Sequence, residues 1–211
     1  MAADGSRKNA KAQAIARAAL NLFSRKGYPL TSIEQISEEA GIGKSTVYEY
    51  FATKEALFEA AITEAVDGWI AGMEAVGRET DDAVARLARI ADMFIAYHDP
   101  ACNQEQGLFI EVLSQTLRPG GVFSNRPHLI EQIYRRVVRI VTGYLLEGIS
   151  SGQLRPEIAR NAEHIAIHFL AGLDGIQLHS MIAPGVVDPR EQVAFFLDQL
   201  IPTLVAASGA S

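Results

Sequence analysis

Residues 31–54 read TSIEQISEEAGIGKSTVYEYFATK, and their spacing decides the fold. Thr31 followed three places on by Glu34 has the form of a capping box, in which the hydroxyl accepts from a backbone N–H and the carboxylate reaches back. A helix is expected to begin there. Ile33, Ile36 and Ala40 recur at helical spacing along one apolar stripe, and Gly41 offers a residue that takes positive φ without a Cβ penalty. Ile42 is apolar in the middle of the turn, where it can fill the angle between two helices. Lys44 to Phe51 then resumes a helical pattern with Val47 and Phe51 four apart. The spacing predicts two short helices, one tight turn and a shared core. The other face of the second helix carries Lys44, Ser45, Thr46, Tyr48 and Tyr50, hydroxyls and a cation that suit phosphate oxygens and base edges.

A helix presented in this way enters the major groove by its N-terminal residues while its partner crosses the backbone. Lys44, Ser45 and Thr46 are therefore the base-edge candidates, and Thr31, Tyr48, Tyr50 and Lys54 the phosphate-holding ones. Two other readings of the stretch are weaker. Gly43-Lys44-Ser45 has the form of a P-loop tail, but the earlier glycine would fall on Glu38 and no strand-like run precedes it. A helix pair used only for packing would need apolar residues where the hydroxyls stand.

The stretch resembles the DNA-binding domain of TetR-family repressors. Their pattern has a Thr-rich helix start, Ala-Gly-Val-Ser in the turn, then Lys-Gly-Thr-Leu-Tyr-His-Tyr-Phe and a Lys-Glu pair. Here those places are held by Thr31-Ser32, Ala40-Gly41-Ile42-Gly43, Lys44-Ser45-Thr46-Val47-Tyr48-Glu49-Tyr50-Phe51 and Lys54-Glu55. The resemblance implies DNA contact at Lys44, Ser45, Thr46, Tyr48, Tyr50 and Lys54. Two positions depart from the pattern. Gly43 replaces a capping Ser, leaving a backbone N–H to water or a phosphate. Glu49 brings a carboxylate that repels phosphates unless it accepts from a cytosine amino group or points away.

Outward from this stretch, Ala10 to Lys26 reads as a helix with Ile15, Ala18, Ala19, Leu22 and Phe23 on one face and Gly27 as its stop; Met1 to Asn9 reads as a mobile arm. Thr53 caps a long helix to about Val76, with a polar break over Gly77 to Asp81. Further helices are expected over Asp82 to His98, Glu105 to Leu117, His128 to Ser151, Glu157 to Ala183, and from Asp188 onward, where Pro189 takes the first helical position. Arg118-Pro119-Gly120-Gly121 is the strongest loop signal. With no β alternation, the expected fold is all-α: a three-helix helix-turn-helix head over residues 1–52 and a larger helical-bundle ligand-sensing and dimerisation domain over residues 53–211.

A net charge of −6 argues at first against a polyanion partner, but the charge is uneven. Residues 1–55 hold eight Lys and Arg against six acids, a balance of +2, and the remainder holds eleven Arg against nineteen acids, a balance of −8. All five lysines lie at or before Lys54. A DNA-facing head on a body that repels DNA fits this pattern. The single cysteine, Cys102, excludes an internal disulfide framework and reads as a small buried hydrophobe. No signal-type run and no stretch of eighteen apolar residues is evident, so a cytoplasmic protein with no membrane partner is expected.

The last two helices carry more apolar surface than one core uses, with Gly172 and Gly175 permitting close approach, so a homodimer paired through them is expected; the resemblance implies the same. In the body, Trp69, Phe94, Tyr97, His98, Phe109, Glu111, Tyr134, Tyr144 and His168 can line a mostly apolar cavity or can be ordinary core. The resemblance implies the cavity, with Trp69, Phe94, His98, Phe109, Tyr134, Tyr144 and His168 as its ligand-binding candidates and a small, largely apolar effector. His164 and His168 stand at metal-ligand spacing without a third ligand, so no metal is expected, nor any cofactor. Gly-x-Ser-x-Gly, His-Glu-x-x-His and paired redox cysteines are missing, which argues against an enzyme. The partners expected are thus a double-stranded DNA operator, a small-molecule effector and a second copy. An architectural DNA binder without a ligand, and an enzyme carrying a helix-turn-helix-like segment, are the competing readings.

Overall fold

A computed structural model describes residues 2–96 and 103–206, with side chains described from residue 8 and again from residue 107. Among them the chain is all-α: α1 (Ala2–Lys26), α2 (Ile33–Glu39), α3 (Lys44–Tyr50), α4 (Lys54–Glu79), α5 (Ala83–Ala96), α6 (Asn103–Leu117), α7 (Pro127–Ser150), α8 (Ala162–Ile182) and α9 (Pro189–Leu204). A short 3-10 helix over Pro156–Asn161 precedes α8. The only extended pairing among these residues is an isolated bridge between Leu154 and Val205.

Three expected boundaries move. The proposed arm at residues 1–9 is helical from Ala2: Ala2, Ala3, Arg7 and Lys8 are good helix formers and extend α1 backward past Asp4, Gly5, Ser6 and Asn9. The polar break expected over Gly77 to Asp81 begins only after Glu79, to which α4 runs on. Its last carbonyls are satisfied by Arg86, whose Nη2 donates to Gly77 O (3.0 Å) and Nε to Thr80 O (2.7 Å). The helix expected from Glu157 begins only at Ala162, since Pro156 at the first position sets a tighter turn first. Pro202 is accommodated within α9, and its carbonyl accepts from Arg155 Nη2 at 3.1 Å.

The chain divides into two compact units: Met1–Trp69 with Cys102–Glu131, and Ile70–Ala101 with Gln132–Ser211. This division crosses the 1–52 and 53–211 split, because α6 packs on α1. Gly107 lies so close to α1 that a Cβ there would stand 1.9 Å from Ser24 O. The first unit is built on Ile15, Leu22, Phe23, Ile36, Val47, Leu57, Phe58, Ile62 and Phe123. Phe58 meets Phe23 edge-on at 5.0 Å and Phe123 at 5.5 Å.

In the second unit, α8 packs on α9 and α5. Phe169 stacks on Phe196 at 6.1 Å, over Gly172. Arg86, 4% exposed, lies on the apolar stripe of α5. Besides the α4 carbonyls it reaches Glu147 Oε2 at 2.5 Å and covers the Tyr144 ring at 4.7 Å. Tyr144 in turn donates to Met73 O at 2.7 Å.

The 27-residue stretch Pro156–Ile182 is, by length and mean composition, apolar enough to cross a membrane, but it holds no eighteen consecutive apolar residues, since His164, His168, Asp174 and Gln177 interrupt it. Only 33% of its most apolar window is buried.

Candidate nucleic-acid interface

The reading pair is assembled from short-range hydrogen bonds. The capping box forms one residue later than its expected place: Ser32 Oγ accepts from Gln35 N (3.2 Å) and Gln35 Oε1 from Ser32 N (3.0 Å). The shift removes Thr31 from the phosphate candidates. Thr31 is 2% exposed and its hydroxyl donates to Gly27 O at 2.8 Å, tying the end of α1 to the start of α2. The turn follows expectation: Gly41 takes φ +65°, and Ile42 N bonds Ser37 O at 2.9 Å while its side chain packs on the core.

Gly43 is the N-cap of α3, extended and without a side-chain capping bond. Val47, fully buried, fixes the helix to the core, and Tyr50 and Phe51 are half-buried against that same core. Gly43, Lys44, Ser45, Tyr48 and Glu49 are left exposed, with Thr46 half-covered. Lys44, Ser45, Tyr48 and Glu49 fall at helical neighbour spacing and form one strip. Tyr48 is 47% exposed on it. Tyr50, expected among the phosphate groups, instead turns its ring to the core, because it lies three residues from Val47 on the buried face. Glu49 stays on the exposed strip.

Two cations of the site are held in place by neighbours. Lys44 Nζ pairs with Glu34, an exposed contact whose hydrogen bond lowers the carboxyl pKa and raises that of the ammonium. Lys54 Nζ sits 4.2 Å above the Tyr28 ring. Burial pulls the Lys54 pKa down, and Glu55 and Glu111 oppose that pull. Tyr28 is raised by burial first, then by its hydrogen bond with Glu55. A phosphate reached by Lys54 would draw it off this ring.

Of the body candidates, Trp69 and Phe109 are half-buried, and Phe94 (6% exposed) and Tyr144 (8% exposed) are buried. Tyr144 is a structural residue, its hydroxyl consumed by Met73 O and its ring by Arg86. Tyr134 is 40% exposed on α7. His168 is exposed on α8 with Nδ1 2.8 Å from His164 O, so its ring lies back along its own helix instead of lining an interior. His98, with Tyr97 and Cys102, lies outside the described residues.

Two polar groups went unread in the sequence. Arg86 sits among Ala83, Leu87, Ile90 and Phe94, a charge on an apolar stripe, and that misfit was its signal. Asp174 is the only Asp, Glu, Lys or Arg between Glu163 and Asp188. Burial raises its pKa to about 6.

The three helices α1 to α3 of the first unit, with a short helix presented by a tight turn and its polar strip bare, define a helix-turn-helix DNA-binding protein. Residues 15–61 match the bacterial regulatory proteins of the tetR family. The HTH-type transcriptional regulator RutR of Escherichia coli (strain K12) is 43% identical over 67 residues, 32% of either chain. The fatty acid metabolism regulator protein of Bacillus subtilis (strain 168) is 28% identical over 148 residues, 70% of this chain and 73% of that one. Among solved structures, a TetR transcription regulator from Haloarcula marismortui superposes with a TM-score of 0.77 at 20% identity, covering 94% of this chain and 100% of the other. Residues 15–61 thus place the N-terminal segment of the chain with the tetR family of bacterial regulatory proteins, and the fold is that of the TetR transcription regulator on which it superposes. The match with RutR spans about a third of that relative's length. These relatives and neighbours are transcriptional regulators rather than enzymes.

Proposed function

We propose that the protein is a ligand-responsive transcriptional regulator acting in the cytoplasm. It is a repressor that grips a palindromic operator as a homodimer and releases it when a small, largely apolar molecule binds the body. The observation that carries this reading is the bare strip Gly43, Lys44, Ser45, Tyr48 and Glu49, on a helix whose opposite face is locked by Val47. Such a strip offers hydroxyls, a cation and an acceptor to base edges, and two copies one helical turn apart would read a palindrome. DNA contact falls to Gly43, Lys44, Ser45, Thr46 and Tyr48, with Lys54 at a phosphate.

Pairing through α8 and α9 is supported by the apolar surface they leave bare: Ile182 at the end of α8 is 70% exposed and Phe195 on α9 61%, with Val186 of the loop between them 83% exposed. The division of labour is a reading head over residues 1–52 and a sensing and pairing part over residues 53–211. Release needs a coupling of only about 1–3 kcal/mol between effector and operator. Genomic-fragment selection with purified protein, followed by footprinting and gel-shift titration, tests the reading. One protected palindrome with two half-sites is expected, and no sequence preference over bulk DNA would overturn it.

A further inference from the structure

We propose that Glu49 is a base-reading residue whose carboxylate accepts from the N4 amino group of a cytosine in the major groove of each operator half-site. The proposal rests on the operator-binding reading above and names one base that the operator must hold.

Glu49 is the sixth of the seven residues of α3, and its direction is fixed by Val47, which is fully buried. At about 100° per residue, Ser45 and Glu49 stand about 160° from Val47 on either side, so they point most directly away from the core. Both are exposed. A carboxylate on a reading helix either turns away from the duplex or meets a donor, and the first course is closed here. Reading helices use side chains spread over about two turns, so a residue of the second turn still reaches base edges.

Nothing within the fold occupies this carboxylate. Among the described residues Glu49 makes no hydrogen bond and no ion pair. Lys44 and Lys54, the cations before and after it in the chain, are engaged elsewhere: one pairs with Glu34 and the other lies over the Tyr28 ring. Phosphates repel it, so its complement in the groove is a hydrogen-bond donor. Guanine shows only acceptors on that edge, thymine an acceptor and a methyl group, and adenine sets its N7 acceptor beside its amino group. Cytosine alone shows an amino donor without an acceptor next to it.

The test selects duplexes from a random pool with the full-length protein, as wild type, Glu49→Ala and Glu49→Gln, and then measures affinities by fluorescence anisotropy. Each half-site selected by wild type is expected to hold one position where cytosine is preferred at least about tenfold, which corresponds to about 1.4 kcal/mol. In Glu49→Ala that preference falls to about twofold or less while the other positions keep theirs. In Glu49→Gln it passes to adenine, whose N6 and N7 suit a carboxamide. N4-methylcytosine at the same position keeps the N–H used in pairing and loses the one that faces the groove. It should weaken wild type about tenfold and Glu49→Ala about twofold or less. The proposal is overturned if Glu49→Ala keeps the cytosine preference, if it changes affinity for all sequences alike, or if wild type tolerates the methyl group at every cytosine of its motif. A selected motif that ignores Glu49 overturns this proposal alone. No motif from wild type overturns the regulator reading itself, and this proposal with it.

Discussion

At the scale of single residues, Asp174 sets a pH dependence of stability. Its pKa is 3.8 in the unfolded reference and about 6 in the fold, so the folded state binds the proton more tightly. Stability is therefore full below about pH 4 and is lost as pH rises through about 6, by up to about 3 kcal/mol. Asp174→Asn should raise the melting temperature near pH 8 and leave it unchanged near pH 4, read by calorimetry. Lys44 gives a prediction of another kind. Its partner Glu34 competes with DNA for the ammonium. Lys44→Ala should relax sequence preference by about 1–3 kcal/mol at the base it reads, whereas Glu34→Gln should strengthen binding to any duplex a few-fold, both read by fluorescence anisotropy. The residue scale also shows where pattern reading slipped. Thr31 and Ser32 are adjacent hydroxyls that can each begin a capping box, with Glu34 or Gln35, and sequence alone does not rank them. The choice fell to Ser32 because Thr31 is buried and spends its hydroxyl on Gly27 O.

Among elements, local capping and close helix contact divide the work. Ser32→Ala removes the α2 cap and should cost about 1 kcal/mol in chemical unfolding. Gly107→Ala should cost more, at least about 2 kcal/mol, because the new methyl group would meet the Ser24 carbonyl and the backbone cannot yield as a side chain can. Arg86 joins three helices. Arg86→Ala uncaps the end of α4 and strips the Tyr144 ring, and about 2–4 kcal/mol should be lost. Glu147→Gln should cost only about 1 kcal/mol, since the Glu147 side chain is 63% exposed and water screens the pair. If the two variants proved equal in denaturant titration, the ion pair and not the capping of α4 would be the larger effect. The break expected from Gly77 starts three residues later: a glycine near a polar run reads as a stop, yet here it makes room for Tyr144, whose hydroxyl lies 2.5 Å from where its Cβ would be.

For the whole molecule, the bare apolar surface of α8 and α9 predicts assembly. Phe195→Glu should convert a dimer to monomers in sedimentation at micromolar concentration and weaken operator binding about a hundredfold or more, because the second half-site no longer adds its affinity. An unchanged dimer would move the subunit contact elsewhere. The all-α class, the order of the helices, the turn at Gly41 and the reading strip were legible in the chain, because apolar periodicity, caps and glycine stops act over a few residues. A cavity lining was not legible there, since aromatic residues at helical spacing look alike whether they line a cavity, bond like Tyr144 or face outward like His168 and Tyr134. Local pattern by itself determined which segments coil and which face of α3 is polar. Only the packed chain decided that Thr31 is interior, that α6 belongs with α1, that Arg86 is buried with partners and that Asp174 is withdrawn from water without one. Burial and pairing depend on residues far apart in sequence, and no short-range rule carries that information.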